Sequence, residues 1–233
     1  RQRQMCIRDS IHTGRDNQNA HFWRGMISDI NTREDELSGK TLGIIGLGSI
    51  GSRVAKLAKA FDMQVLATKR DTSTGTKLAD EVYSPDSLPT LLERSDFVSM
   101  HAPLNDETRK MISVKQFQHM KSSAIYLNNG RGPTTDENAL IDALQSGQIA
   151  GAGLDVLETE PANLENPLLH MTNVVVTPHI ASASSRMMPE TRRRAGREMA
   201  TVHGRGCWRP VQQSLTEKEP RSARNRCTLR HRS

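Results

Sequence analysis

Three residues, Arg131, Glu160 and His179, stand in stretches whose types suit an acid/base site. Arg131 lies in Asn128-Asn129-Gly130-Arg131-Gly132, Glu160 in Leu157-Glu158-Thr159-Glu160-Pro161, and His179 in Pro178-His179-Ile180-Ala181-Ser182. A guanidinium offers a planar fork to a carboxylate, and an imidazole titrates near neutrality. A carboxylate beside the ring can hold it while it passes a proton. Each residue has an ordinary alternative: a solvated loop charge for Arg131, a surface turn for Glu160, a satisfied core histidine for His179. What joins them is position. Each follows an apolar run that reads as a strand, at Ala124–Leu127, Ile149–Val156 and Asn173–Thr177. A doubly wound sheet binds its ligands at the carboxyl ends of its strands, so three such ends could share one cleft.

The element that would set such a cleft is Thr41–Gly51, TLGIIGLGSIG. An apolar run (Leu42, Ile44, Ile45) leads into Gly46, Gly48 and Gly51, and a helical pattern starts at Ser49. This is G-x-G-x-x-G between a strand and a helix, the context in which it cradles a dinucleotide pyrophosphate. Gly46 serves the tight turn, Gly48 the approach of the phosphates, and Gly51 the close packing of helix on strand. A glycine-rich turn in another α/β domain is the alternative.

From residue 41 onward strand and helix signals alternate, which predicts βαβ units and a doubly wound parallel sheet of Rossmann type. Leu42–Ile45 reads as the first strand and Ser49–Phe61 as a helix, with Ile50, Val54, Leu57, Ala58 and Phe61 at helical spacing. Met63–Ala67 is a strand, Ser84-Pro85 opens a helix, and Asp96–His101 is a strand. Ser113 to Gln116 has capping-box spacing. Asp136–Gln145 is a helix with Gly147 beyond its end. Val174-Val175-Val176 reads as buried on both faces. A poorer helical pattern runs from about Ser184 to Thr201, within a segment 184–203, and periodicity stops after His203.

The net charge of +6 is unevenly spread. Residues 1–40 carry 7 basic and 6 acidic side chains, residues 41–184 carry 12 and 16, and residues 185–233 carry 13 and 4. The patterned region is therefore mildly acidic, and the excess lies in a basic tail. That tail has no zinc spacing, no heptads and almost no interleaved aromatics, so a solvated or non-native tail is expected and no nucleic-acid partner. Cys6, Cys207 and Cys227 offer neither a disulfide framework nor metal spacing, which fits a cytoplasmic protein with no bound metal. No apolar run approaches a membrane span. Residues 1–10 read as a non-native scar, residues 11–40 as an arm, residues 41–183 as the dinucleotide-binding domain, and residues 204–233 as an irregular tail.

Five stretches together resemble the D-isomer-specific 2-hydroxyacid dehydrogenases. They are GLGSIG (46–51), SDFVSMHAPLNDETRKMI (95–112), LNNGRGPTTDENAL (127–140), GAGLDVLETEP (151–161) and VVVTPHIASAS (174–184), in that family's order and spacing. The resemblance implies that Arg131 binds the substrate carboxylate and polarises its carbonyl. It implies that Glu160 supports His179, and that His179 donates the proton in reduction of a small 2-keto acid such as glyoxylate, hydroxypyruvate or pyruvate. It places Ser49 and Ile50 at the pyrophosphate, Pro103, Thr108, Asn129 and Gly130 along the adenosine and ribose, and Asp155 at the nicotinamide carboxamide. Ala181 and Ser182, like Arg131 and His179, join the cofactor set. The resemblance also implies a homodimer, with Phe22, Trp23 and Met26 as remnants of its contact. A dinucleotide-sensing, corepressor-like dimerisation module is the alternative.

At the end of the second strand, where an acidic residue would bind the ribose 2′-OH, stand Lys69 and Arg70. Two cations suit a 2′-phosphate, which favours NADP over NAD, although Asp71 keeps NAD open. The resemblance further implies a substrate-binding domain of which little is present here. A chain without it is expected to bind dinucleotide weakly and to turn over little.

Overall fold

The computed structural model describes residues 17–23, 36–72 and 77–183. After a turn closed by Lys40 N–H on the Leu37 carbonyl (3.1 Å), the chain enters β1, Thr41–Ile45, all of it buried. The elements that follow are α1 (Ser49–Ala60), β2 (Gln64–Thr68), β3 (Glu81–Tyr83), α2 (Leu88–Arg94) and β4 (Phe97–Met100). Then come α3 (Val114–Gln118), β5 (Ile125–Asn128), α4 (Glu137–Gln145), β6 (Gly151–Leu154) and β7 (Val174–Val176). The strands form one sheet in the order β3-β2-β1-β4-β5-β6-β7, and every pairing is parallel. The order reverses between β1 and β4, the switch point of a doubly wound fold. The expected fold class is the observed one.

Alternation along each strand builds a core on each face of the sheet. Leu42, Ile44, Val65, Ala67 and Phe97 pack on one side with Ala55 and Ala58 of α1. Ile45, Leu66, Val98 and Met100 join Leu91, Phe117, Tyr126, Leu140 and Leu144 on the other. Tyr126 is fully buried. It meets Phe117 edge-on at 5.7 Å and shares a 2.7 Å hydrogen bond with Thr135 Oγ1.

Two expectations need correction, and one strand carries no sequence signal. The apolar positions of α1 form its buried face only in part: Ala58 is buried and Val54 packs on the core, but Ile50 and Leu57 are more than 60 % exposed, and the rest of the buried face is Gly51 and Ala55. Small residues face the sheet because the helix must start close to the turn it follows; a Cβ on Gly51 would fall on the Gly46 carbonyl oxygen. Next, Val174–Val176 is not buried on both faces. Among the described residues β7 is the edge strand, paired only with β6; Val174 and Val176 pack on the core and Val175 is 36 % exposed. Lastly, β3 carries no apolar run of its own. It is a three-residue edge strand of half-buried residues, braced where the Arg94 guanidinium meets Glu81 at 2.7 Å.

Smaller differences are local. Ser84 and Pro85 open a 3-10 turn, Pro85–Ser87, before α2 begins. Asp136 caps α4 from outside it, accepting from Ala139 N–H. The described residues all belong to one compact unit. The helix expected from Ser184 to Thr201, the basic tail, the ten-residue scar and Met26 all lie outside the described residues. Among the described residues no helix is long and apolar enough to cross a membrane.

The two valines test the edge assignment. Val98→Thr, fully buried in β4, should cost about 1–3 kcal/mol for an unpaired hydroxyl. Val175→Thr should stay within about 0.5 kcal/mol of the parent. Denaturant unfolding of both variants measures the difference.

Candidate active site

At the end of β1 the chain turns at Gly46, whose φ of +96° is left-handed backbone that glycine alone adopts without strain. A side chain there would also press on the Ala102 amide at 2.8 Å. The turn is tied to the end of β2: Gly46 N–H donates to Thr68 Oγ1 at 3.2 Å, and Leu47 N–H to the Thr68 carbonyl at 2.9 Å. Helix α1 then begins with Gly48 as N-cap, without a side-chain cap and without an acidic residue in its first turn. Its first N–H groups are left for an outside partner, and the helix dipole favours an anion there. A Cβ on Gly48 would meet no heavy atom within 4 Å, so the space above the turn is open. These residues fit a dinucleotide pyrophosphate. Lys69, half-buried, and Arg70, exposed, follow β2; Lys69 N–H is fixed on the Tyr83 carbonyl of β3 at 3.0 Å.

The loop after β4 runs beside this turn. Thr108 is buried and its hydroxyl closes the loop on itself, donating to the Pro103 carbonyl at 2.6 Å and accepting from Asn105 N–H at 2.9 Å. Its visible work is to shape the segment that carries Pro103. His101, at the end of β4, lies in the same wall. Burial pushes its imidazole below the ordinary value, and its Nε2 pairs with Ser99 Oγ at 2.8 Å.

The Arg131 loop is built around Asn128, which is 1 % exposed. Asn128 Oδ1 accepts from Gly130 N–H at 3.0 Å, and its Nδ2 donates to Thr135 Oγ1 at 3.1 Å and to the Arg131 carbonyl at 3.3 Å. Asn129 and Arg131 are left exposed at the rim, with Gly130 half-buried; Arg131 donates to the Gly130 carbonyl at 2.7 Å. Gly132 has no room for a side chain, since a Cβ would fall on the Leu157 carbonyl. That close approach lays the arginine loop directly on the glutamate loop.

Glu160 and His179 meet as the sequence leads one to expect: Oε2 of Glu160 lies 2.7 Å from Nδ1 of His179. Glu160 Oε1 accepts from Leu157 N–H at 3.0 Å, so both its oxygens are fixed. Desolvation pushes the Glu160 carboxyl up, but the bonds from His179 and Leu157 outweigh it and the net shift is downward. With Nδ1 committed, Nε2 of His179 is the nitrogen left to face a reacting group. The pair is open to solvent, at 45 % and 37 % exposure of the two side chains.

His179 has a φ of +52°, a conformation that costs a non-glycine residue roughly 1–3 kcal/mol. An exposed ion pair supplies at most about 1 kcal/mol. The loop is therefore held mainly by something else, and that is Asp155. Its side chain accepts from Thr177 Oγ1, from Ile180 N–H at 2.9 Å and from Ala181 N–H at 2.8 Å, while its carbonyl accepts from His179 N–H at 2.9 Å. Hydrogen bonds to a charged group contribute about 1.5–3 kcal/mol each. Desolvation raises the Asp155 carboxyl, yet Thr177, Ala181, Ile180 and His179 together bring it below its ordinary value. Ala181 thus reaches this site through its backbone, and Ser182 stays exposed beside it.

Sequence reasoning missed Asn128, Thr68 and the work of Asp155 on the histidine loop. Each is a short polar residue at or just past a strand end. That is a weak signal, because its partners are backbone groups. Among the described residues no cluster of three metal-ligating side chains occurs.

Fold and site together define a dinucleotide-binding domain with a carboxylate–imidazole pair at the carboxyl ends of its strands. The chain belongs to the D-isomer specific 2-hydroxyacid dehydrogenase family: residues 5–181 match that family's NAD binding domain. It is 51% identical over 148 residues to glyoxylate/hydroxypyruvate reductase B of Escherichia coli, covering 62% of this chain and 45% of that protein. The chain thus spans less than half the length of the curated relatives it matches. Its structure is similar to the NADPH-dependent glyoxylate/hydroxypyruvate reductase of Sinorhizobium meliloti in complex with NADP and sulfate. The TM-score is 0.69 and the identity 27%, over 82% of this chain and 58% of the other. It is also similar to the NAD-complexed D-isomer specific 2-hydroxyacid dehydrogenase of Lactobacillus delbrueckii ssp. bulgaricus. There the TM-score is 0.67 and the identity 31%, over 84% and 61%.

Asp155 makes the acid limb of stability informative. Its folded pKa lies below the ordinary 3.8, so its contribution is complete above the unfolded value and is lost as pH falls through the folded one. Asp155→Ala should cost at least about 1.5–3 kcal/mol at pH 7. It should also flatten the loss of stability below about pH 4. Urea unfolding across that range checks both.

Proposed function

We propose that this chain is the cofactor half of an NAD(P)-dependent 2-hydroxyacid dehydrogenase that reduces small 2-keto acids of the glyoxylate or hydroxypyruvate type. The observation that carries the reading is the Glu160–His179 pair, 2.7 Å apart at the same sheet edge as the glycine turn. The Gly46–Gly51 turn, Pro103 and the Asn129–Gly130 rim would hold the dinucleotide, and Asp155 would serve its nicotinamide carboxamide. When bound, the reduced nicotinamide supplies the hydride that reaches the carbonyl carbon. Arg131 orients the substrate carboxylate and draws electron density from the carbonyl oxygen. His179 gives its Nε2 proton to that oxygen, and Glu160 keeps the ring in place on its Nδ1 side. In the reverse direction His179 takes the hydroxyl proton.

Lys69 and Arg70 follow directly after β2, the strand end at which such a fold reads the ribose 2′ position, and two cations there support NADP as the preferred cofactor. The exposure of Phe22 and Trp23, 60 % and 94 %, supports an apolar contact with a second copy in a homodimer. A cytoplasmic location fits the absence of cysteine pairing in the sequence pattern.

A chimera tests this reading: residues 41–183 of this chain replace the matching segment of the Escherichia coli reductase. It should reduce hydroxypyruvate with a lower KM for NADPH than for NADH, and His179→Ala should lower kcat about 10²–10⁴-fold. A folded chimera that binds NADPH but shows no His179-dependent reduction would contradict the proposal. Cofactor-dependent association without turnover would favour a sensor instead.

A further inference from the structure

The loop carrying Glu160 has little regular structure of its own. It leaves β6 at Leu154 and reaches its first helical turn only at Pro167–Leu169. Nevertheless, Glu160 sits with both oxygens placed. We propose that Glu137, on α4, is a positioning residue for the Glu160–His179 pair, its carboxylate pinning the two ends of the loop that carries Glu160.

The two oxygens of Glu137 are both turned onto that loop. Oε2 accepts from Glu158 N–H at 2.8 Å, and Oε1 accepts from Asn166 Nδ2 at 2.7 Å. Residues 158 and 166 bracket Glu160. The orientation of the Asn166 amide is settled by its other bond, because its Oδ1 accepts from Leu168 N–H at 3.0 Å, leaving Nδ2 to donate. Adjacent N–H groups thus go to different carboxylates, Leu157 to Glu160 and Glu158 to Glu137. The first fixes the catalytic carboxylate against its own loop, and the second fixes that loop against the helix.

The base is rigid. Helix α4 buries Ala139, Leu140, Ala143 and Leu144, and its start is tied down where Asp136 N–H donates to the Ile112 carbonyl at 2.8 Å. Lys110 adds a cation to the same junction, 3.4 Å from Glu158 and 3.6 Å from Asp136. A carboxylate serving only the helix dipole would need no partner on another loop. This one joins the first turn of α4 to both ends of the catalytic segment, so movement of α4 is carried directly to Glu160.

The role in catalysis rests on the reading of Glu160 and His179 given above, but its test needs no turnover. Glu137→Gln replaces one acceptor with a donor, so two donors face each other at Asn166 or at Glu158 N–H. Adding Asn166→Asp reverses the opposing group and restores the complementary pair. The readout is the titration of the Glu160 carboxyl by carbon-13 NMR on the full chain, assigned with Glu160→Gln, with thermal unfolding measured in parallel. The charged neighbours of that carboxyl are His179 and Asp155, and neither is altered. In Glu137→Gln the Glu160 titration should move up by about half a pH unit or more, and in the double variant it should return. A lowered Tm with the Glu160 titration unmoved, or a double variant that fails to restore it, would overturn the proposal. Should Glu137→Gln not fold, Asn166→Ala removes one anchor only and should give a smaller upward shift; no shift would overturn it equally. An inactive chimera would leave these titrations intact, so the two readings fail separately.

Discussion

Among the described residues, seven parallel strands deliver the loops that follow them to one edge of the sheet. That constraint places the glycine turn after β1, the cation pair after β2, His101 after β4, the arginine after β5, Asp155 after β6 and the histidine after β7 along a single line. No side chain has to reach far. The reversal of order between β1 and β4 opens the crevice in which a dinucleotide of this fold lies. Gly132 then allows the β5 and β6 loops to touch, at the same edge where Glu160 and His179 meet.

Ordering at that edge comes from side chains that bind backbone, more than from ion pairs. Asn128, Asp155, Glu160 and Glu137 each take at least one N–H from a loop that carries a reactive group. The Glu160–His179 pair is too exposed to hold a strained histidine by itself. Its value lies in direction, since it commits Nδ1 of the ring to Glu160. The Arg131 backbone is held by Asn128 and Thr134 on its carbonyl, whereas its guanidinium, among the described residues, donates only to its neighbour's carbonyl.

The sheet was legible because strand and helix periods alternate plainly from residue 41, and because Arg131, Glu160 and His179 each follow an apolar run. The meeting of Glu160 with His179 was legible for the same reason. Burial was less so. Val174–Val176 has the composition of a central strand, and only pairing reveals it as an edge. The apolar residues of α1 promise a buried stripe at Ile50 and Leu57, yet close packing behind the phosphate turn demands glycine and alanine there instead. Three-residue β3 has almost no signal, and Asn128, Thr68 and Glu137 look like ordinary polar residues until their backbone partners are known. Hydrogen bonds between segments distant in sequence leave no period to read.

The most direct test of the sheet edge as a dinucleotide site is calorimetric titration of NADPH into the chain and into Gly48→Ala. Gly48 has a φ of −87°, which any residue adopts, and an open space above it. The substitution should therefore leave Tm unchanged or slightly raised, while the new methyl occupies the place of the phosphates. Binding by the parent and a loss of at least about tenfold in the variant, a difference of roughly 1.4 kcal/mol, is the expected result. Equal binding by both, or none by the parent, would contradict it.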